Sequence, residues 1–494
     1  MSRRMTAIAD APARRLQGGL VIAAMLISTS MVAVEVTVIS TAMPTIVAKL
    51  GGFSLFSWAF GAYVLTQAVV MPLYGRLADS YGRKRVYLAS AGLFLLGSLL
   101  CGCSWNMVSL ILFRAMQGIG GGGLVPLAST IIADVAAPAD RPRMMGYLSG
   151  IWGIAAIIGP LLGAFCVHSL GWPFVFWVNL PIGLIAMTMV ARFLHEPPRT
   201  GRHQPIDLPG AGLLVTGIGA IMLVLVQMAM LTLPATAGLL GFGVLALLGF
   251  AWRERRVQDP LLPAHLLRRR MLLIANVSAV LCGAVMLGLV AFLPAWVQGV
   301  AGGGALLAGA VLGVVCLAWT IATMTLSRHL ARLSLRSVAI CSSVVLVAGC
   351  LGLLTVGAGQ GILWLCICGA ITGAGLGVNS LVFTIAVQSS AARADRGRAM
   401  ALYYFSRMLG QALGAAAFGG VLNHGLAKSG THDIIRALVG AKTRVALSAP
   451  VLHQLTGILA GALHSVFILA CIIAAGTLLA TCFVQRQEQL GVEE

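Results

Sequence analysis

Leu20–Met43 reads LVIAAMLISTSMVAVEVTVISTAM, and of these 24 residues only Glu35 is charged. At about 1.5 Å per residue, a helix of this length crosses the roughly 30 Å of bilayer hydrocarbon. A carboxylate held there is expensive, so an acid inside a span marks a functional position. The other thirteen acidic residues fall in loops, in tails or at the ends of apolar runs. Glu35 therefore reads as the deep site for a proton or a cation, with a permanently paired structural acid as the alternative.

Similar runs repeat along the chain. Hydrophobic residues make up 59% and charged residues 10% of its 494 positions, whereas a soluble protein carries about 25% charged residues. In lipid the backbone must satisfy its own hydrogen bonds, which favours helices, and no strand-like alternation points to a barrel. The fold class is an all-α polytopic membrane protein. Fourteen spans are expected, the first over 19–42 and the last two over 400–424 and 460–483. A net charge of +19 would suit nucleic acid if it lay on one surface. The basic residues instead cluster in short loops on alternate sides of the spans, a topology signal that excludes nucleic acid as a partner. The eleven cysteines lie in or beside apolar runs without the His or acid that would complete a metal set, and read as packing residues. No nucleophile–base pair points to an enzyme. Arg3, Arg4, Arg14 and Arg15 precede a first run too long for a signal-peptide core, so that run reads as a retained span.

With the N-terminus inside, inner segments hold 26 of the 33 Lys and Arg residues and outer loops hold 5, while Arg114 and Arg407 lie within spans. This bias supports the topology, and an even number of spans puts both termini in the cytoplasm. Arginine outnumbers lysine 29 to 4, as in GC-rich bacterial genomes. The expected location is a bacterial cytoplasmic (inner) membrane. The spans divide as six, two and six. Residues 1–194 form an N-terminal six-helix bundle, 195–270 hold linkers and an extra two-helix hairpin, and 271–494 form a C-terminal six-helix bundle. Two such halves around a midplane cavity are a plan of secondary transporters. The hairpin, nearly free of polar side chains, is expected at the lipid-facing periphery. The loop over 425–459, with Ile434, Ile435, Leu438, Val439 and Leu447, reads as an interfacial amphipathic helix or as a solvated loop.

The loop after the second span runs Gly75-Arg-Leu-Ala-Asp79-Ser-Tyr-Gly82-Arg83-Lys84-Arg85. Glycine permits a tight turn there. Asp79, at a helix junction, can accept backbone N–H groups or pair with Arg83. On its residues alone the string reads equally as a basic turn. It resembles the signature loop of the major facilitator superfamily, G-x-L-a-D-r-x-G-r-k-x. The resemblance implies a conformational lock of the outward-facing state, with Asp79 as its charge, Gly75 at a close helix contact and Arg83 ordering the loop.

Further strings carry the same resemblance. In span 5, Gly146 and Gly159-Pro160-Leu-Leu-Gly163-Ala164 supply small residues for close packing and a proline that can kink the helix. They resemble the superfamily's antiporter motif, associated with export. Val34-Glu35-Val-Thr37-Val-Ile-Ser40-Thr-Ala-Met-Pro44 is similar to L-D-x-T-I-V-N-V-A-L-P of the fourteen-span drug:proton antiporters, with glutamate for aspartate and serine for asparagine. Leu112-Phe-Arg114-Ala-Met-Gln117-Gly118-Ile-Gly120 resembles the proton-coupling motif. Arg114 lies about 10 Å into its span and Glu35 about 8–10 Å from the outer end of its own. A shared depth is expected, with an interfacial snorkelling arginine as the other reading of Arg114.

The resemblance covers nearly the whole chain. It implies the major facilitator fold and a proton-coupled antiporter that exports amphipathic or cationic drugs or toxic compounds, and with them antibiotic resistance. Glu35 and Arg114 would carry proton coupling. Burial and a neighbouring cation act on a carboxylate in opposite senses, a balance on which exchange of proton and substrate can run. No cofactor is expected, since the proton gradient is the drive. The partners are small amphipathic molecules, protons and the bilayer, and a periplasmic adaptor with an outer-membrane channel is left open. A cavity for mixed apolar cargo needs aromatic and flexible side chains. Candidate lining residues are Thr37, Tyr63, Gln67, Trp152, Asn179, Asn379, Phe405 and Arg407, and Arg407 reads equally as a residue snorkelling inward. One deep carboxylate implies that dicationic cargo is handled worse than monocations. The rival reading is a dedicated exporter of one metabolite (an antibiotic, siderophore or lipid precursor), followed by an importer or uniporter.

Overall fold

The computed structural model describes residues 2–136, 141–196, 207–227, 231–257, 260, 262, 264–327, 333–357, 361–391, 395–427 and 448–484. Among these residues there are α-helices and no strand. In chain order they are α1 Ser2–Leu50, α2 Phe56–Tyr81, α3 Arg83–Gly102, α4 Met107–Val135 and α5 Arg141–Phe165. The short α6 Phe174–Trp177 continues into α7 Asn179–Phe193. The hairpin is α8 Leu208–Gln227 and α9 Leu233–Glu254. Then follow α10 Arg270–Ala295, α11 Ala305–Ser327, α12 Leu335–Leu354, α13 Ile362–Ser390, α14 Arg396–Ala427 and α15 Ala449–Cys482. With α6 and α7 taken together, thirteen of these helices are long and apolar enough to cross a membrane. The fourteenth, α14, has the length at 32 residues but a more polar sequence.

Helix ends depart from the expected spans. The first helix runs to Leu50 and not to 42, continuing through Pro44 although proline offers no N–H to the carbonyl four residues back. The last begins at Ala449 and not at 460. Hydrocarbon thickness limits the apolar run, while backbone hydrogen bonding carries a helix on past it. The part of the 425–459 loop that carries the Ile434–Leu447 pattern lies outside the described residues.

The helices group as six, two and six. In the first group α4 packs on α2 and α3, and α1 crosses α4, α5 and α7. In the last, α10 packs on α13, α14 and α15, and α13 on α11 and α12. The groups meet along α2–α14, α5–α11 and α1–α10. At the Leu50 end of the bundle, which the charge count assigns to the outside, both contribute to one hydrophobic core. There the rings of Phe56 and Phe292 lie 5.6 Å apart, Gln298 donates to the Thr41 carbonyl at 3.0 Å and Asn423 to the Ser54 carbonyl at 2.8 Å. At the opposite end the buried side chains fall into two cores, one built mainly on α1–α4 with α8 and with Phe405, Ala412 and Ala416 of α14, and one on α10, α12, α13 and α14. The two groups share one core at the Leu50 end and also meet through α14.

The hairpin departs from its expected place. α9 turns most of its surface outward, but α8 wedges against both α2 and α14. Met222 packs over Gly61, and Asn423 of α14 donates to the Val226 carbonyl at 3.1 Å. Small residues at Gly61 and Gly420 leave the groove that α8 fills. Asp207 accepts from the Gly210 N–H at 2.9 Å and pairs with Arg253 at 2.6 Å, tying α8 to α9.

Candidate functional site

Glycines in α4 set up the site. Gly118 faces the Tyr63 carbonyl of α2, Gly120 the backbone of Phe94 in α3, and Gly122 the Gln67 backbone. A Cβ at any of them would overlap the neighbouring helix, so the run from Gly118 to Gly123 lets α2 and α3 close directly on α4. One turn earlier, Arg114 and Gln117 stand three residues apart on one face of the same helix. That face looks onto Glu35 of α1.

Glu35 is fully buried and Arg114 is 1% exposed. The Arg114 Nη1 pairs with the Glu35 Oε1 and also donates to the Gln117 Oε1 at 2.7 Å, while its Nε donates to the Ala59 carbonyl at 3.1 Å. Asn179 of α7 donates to the other carboxylate oxygen, Oε2, at 2.5 Å. Ser98 of α3 receives hydrogen bonds from Asn179 at 3.1 Å and Gln117 at 3.0 Å, and donates to the Phe176 carbonyl at 2.9 Å. The guanidinium carbon lies 4.2 Å from the centre of the Tyr63 ring. The Tyr63 hydroxyl, buried beside it, has no hydrogen-bond partner among the described residues. Both carboxylate oxygens are thus engaged and the cation is held from three sides. A half-satisfied network of this kind would be costly in a low-dielectric interior.

The contact puts Glu35 and Arg114 at one depth. Glu35 lies near the middle of the helical stretch Gly18–Leu50. Of the candidate lining residues, Asn179 and Tyr63 belong to the Glu35 network. Thr37 donates to the Ala155 carbonyl at 3.1 Å, and Thr41 to the Pro160 carbonyl at 3.3 Å, fastening α1 to α5. Gly159 and Gly163 sit against Thr37 and Thr41, so this glycine–proline string is the α1–α5 seam. The surroundings of Gly146 lie outside what the structure describes. Gln67 and Phe405 are buried, and Asn379 is buried in hydrogen bonds to Ser343 at 3.1 Å and from the Cys282 thiol at 3.2 Å. These three side chains are buried among the helices. Trp152 is 40% exposed, and Arg407 is half-buried.

At the signature loop, Gly82 takes φ +92°, a left-handed conformation suited to glycine. The Arg83 N–H donates to the Glu196 Oε1 at 2.7 Å, and its guanidinium pairs with Asp134 at the end of α4. Lys84 donates to the Ala191 carbonyl at 2.6 Å. The side chain of Asp79 lies outside what the structure describes. Gly75 makes no close helix contact: a Cβ there would meet nothing within 4 Å. It lies on an exposed face of α2. Asp134, Glu196, Ser98 and the bonding of Gln117 have no role in the sequence reading. Gln117 alone had a legible signal, its three-residue spacing from Arg114.

Among the described residues, two six-helix bundles and a two-helix hairpin, with a buried ion pair in the first bundle, define a polytopic helical membrane protein. The sequence matches the Major Facilitator Superfamily over residues 25–415. It is 32% identical over 483 residues to multidrug resistance protein 3 of Bacillus subtilis (strain 168), covering 93% of this chain and 94% of that protein. It is also 32% identical over 409 residues to the multidrug transporter protein MdtP of the same organism, covering 82% of this chain and 75% of that one. A similar fold is seen in a bacterial homologue of the human lysosomal transporter Spinster in an inward-facing, unoccupied conformation, with a TM-score of 0.65 at 15% identity over 94% of this chain and 97% of that one. The D-xylose–proton symporter shares the fold with a TM-score of 0.63 at 12% identity, over 94% of this chain and 98% of that one. The chain belongs to the Major Facilitator Superfamily.

Proposed function

We propose that the chain is a proton-coupled antiporter of a bacterial cytoplasmic membrane, exporting amphipathic, often cationic, drugs or toxic compounds. The observation that carries the reading is Glu35, a fully buried carboxylate at mid-span whose two oxygens engage Arg114 and Asn179. The names of the two Bacillus relatives, a multidrug resistance protein and a multidrug transporter, support drugs as the cargo.

In this reading 1–194 and 271–494 are the moving halves, 195–270 joins them, and both termini face the cytoplasm. Ionised Glu35 holds Arg114. A proton arriving on Glu35 releases the guanidinium to the Gln117 oxygen, the Ala59 carbonyl and the Tyr63 face, and shifts the balance between the two orientations. The Arg83–Asp134–Glu196 cluster orders the loop at the cytoplasmic end, and Asp79, Gly75 and the α1–α5 seam at Gly159, Pro160 and Gly163 belong to the same switching apparatus.

The test is transport in proteoliposomes under an imposed pH gradient with a panel of cationic, neutral and anionic amphipaths. Wild type should move several compounds against their gradients. Glu35→Gln should lose at least about tenfold of this gradient-driven flux, while exchange of labelled for unlabelled cargo without a pH gradient persists. Undiminished driven flux in the variant would remove Glu35 from coupling. Movement of one compound alone would narrow the reading to a dedicated exporter.

A further inference from the structure

Arg407 is the second arginine within a long helix, and its surroundings are unlike those of Arg114. It lies eleven residues into α14, about 16 Å from that helix end. Its side chain enters the space between α10, α11 and α13. Nη1 donates to the Ser380 Oγ at 3.3 Å and Nη2 to the Met286 sulfur at 3.2 Å. The guanidinium carbon is 5.3 Å from the centre of the Trp319 ring. One turn further on, Gln411 donates to the same sulfur at 3.7 Å. Arg407, Trp319, Ser380, Met286 and Gln411 are all half-buried, so they border space and not packed core.

Among the described residues Arg407 has no carboxylate partner. A guanidinium presents five N–H donors in a planar fork, and here a long hydroxyl contact and a thioether are weak acceptors for them. A cation inside a membrane span calls for a counter-charge. In the first bundle Glu35 and Arg114 neutralise one another, which leaves Arg407 as an uncompensated mid-span charge.

We propose that Arg407 recognises a negatively charged group on the cargo, a carboxylate or sulfonate, while Met286 and Trp319 hold its apolar body. This rests on the reading of the chain as an exporter and extends the cargo to anionic and zwitterionic amphipaths. The planar fork suits bidentate recognition of a carboxylate, and the flexible thioether beside it adapts to differing apolar shapes.

A matched probe pair isolates the charge: a xanthene dye with a free carboxylate and the same dye as its methyl ester. Equilibrium binding of each to the purified full-length protein is followed by fluorescence anisotropy, without any gradient, so the result does not depend on proton coupling. Arg407→Gln should weaken the carboxylate dye by about tenfold or more and the ester by less than about twofold. Arg407→Lys should retain part of the preference, since the charge remains and the fork is lost. Equal weakening of both dyes, or of neither, overturns the proposal. If Arg407→Gln cannot be purified, competition against the carboxylate dye on wild type decides. A simple aryl carboxylate should compete at least about tenfold better than its amide, and equal competition overturns the site. Loss of the pH-driven flux test above would leave these binding outcomes standing, so the two readings fail separately.

Discussion

Arg114→Leu is expected to destabilise the protein by about 3–5 kcal/mol, the range for stranding one member of a buried ion pair. The leucine removes the partner of Glu35 and the donor to the Ala59 carbonyl, and leaves the Gln117 oxygen without its 2.7 Å contact. Glu35 is then a carboxylate with zero exposure and Asn179 as its remaining donor. The double variant Glu35→Gln, Arg114→Leu replaces the stranded charge with a neutral amide that Asn179 can still meet. It should recover about half or more of the loss. The measurement is thermal unfolding of purified protein in detergent for wild type, both single variants and the double, read as a double-mutant cycle. Simple additivity of the two single losses would show that the two groups do not sense one another.

Gly118→Val is the second large expected effect. A Cβ at Gly118 would overlap the Tyr63 carbonyl and the Thr66 hydroxyl of α2, and backbone cannot move aside as a flexible side chain can. Overpacking a close helix contact costs about 1–3 kcal/mol or more, and valine adds two methyl groups to the overlap. Moving α4 off α2 also draws Arg114 from the Ala59 carbonyl and from the Tyr63 ring, so function should fall with folding. Gly150 in α5 is the control, because a Cβ there meets nothing within 4 Å. Gly150→Ala should leave stability unchanged or raise it by up to about 1 kcal/mol through helix propensity. Monodisperse yield and melting temperature read both. A well-folded Gly118→Val protein with the wild-type melting temperature would mean that α2 and α4 do not pack this closely.

The helical class and the count of spans were legible because bilayer thickness imposes a minimum apolar length and charge bias orders the loops. A shared depth for Glu35 and Arg114 was legible from their distances to the span ends, but their adjacency was not, because sequence does not say which helix faces meet. The shell around them was not. Ser98 is one serine in an apolar helix, and nothing in its neighbours tells which way it faces. Asn179 read as a cavity residue for the same reason. Asp134 lies 51 positions from Arg83, with no local pattern linking the two. Helix ends were misread because apolar content says where lipid stops, not where the backbone stops being helical. The place of α8 was hidden because a uniformly apolar helix looks the same to lipid as to a neighbouring helix.

The wedge of α8 breaks the resemblance between the two flanks of the molecule. Along α2–α14 it lies as a seal, with Met222 over Gly61 and Val226 held by Asn423. Along α5–α11 there is no counterpart among the described residues: Gly309 meets the Pro160 carbonyl directly and Trp152, Ile154 and Ile158 face outward. The two flanks are therefore unlike joints, a direct two-helix seam on one side and a three-helix laminate on the other.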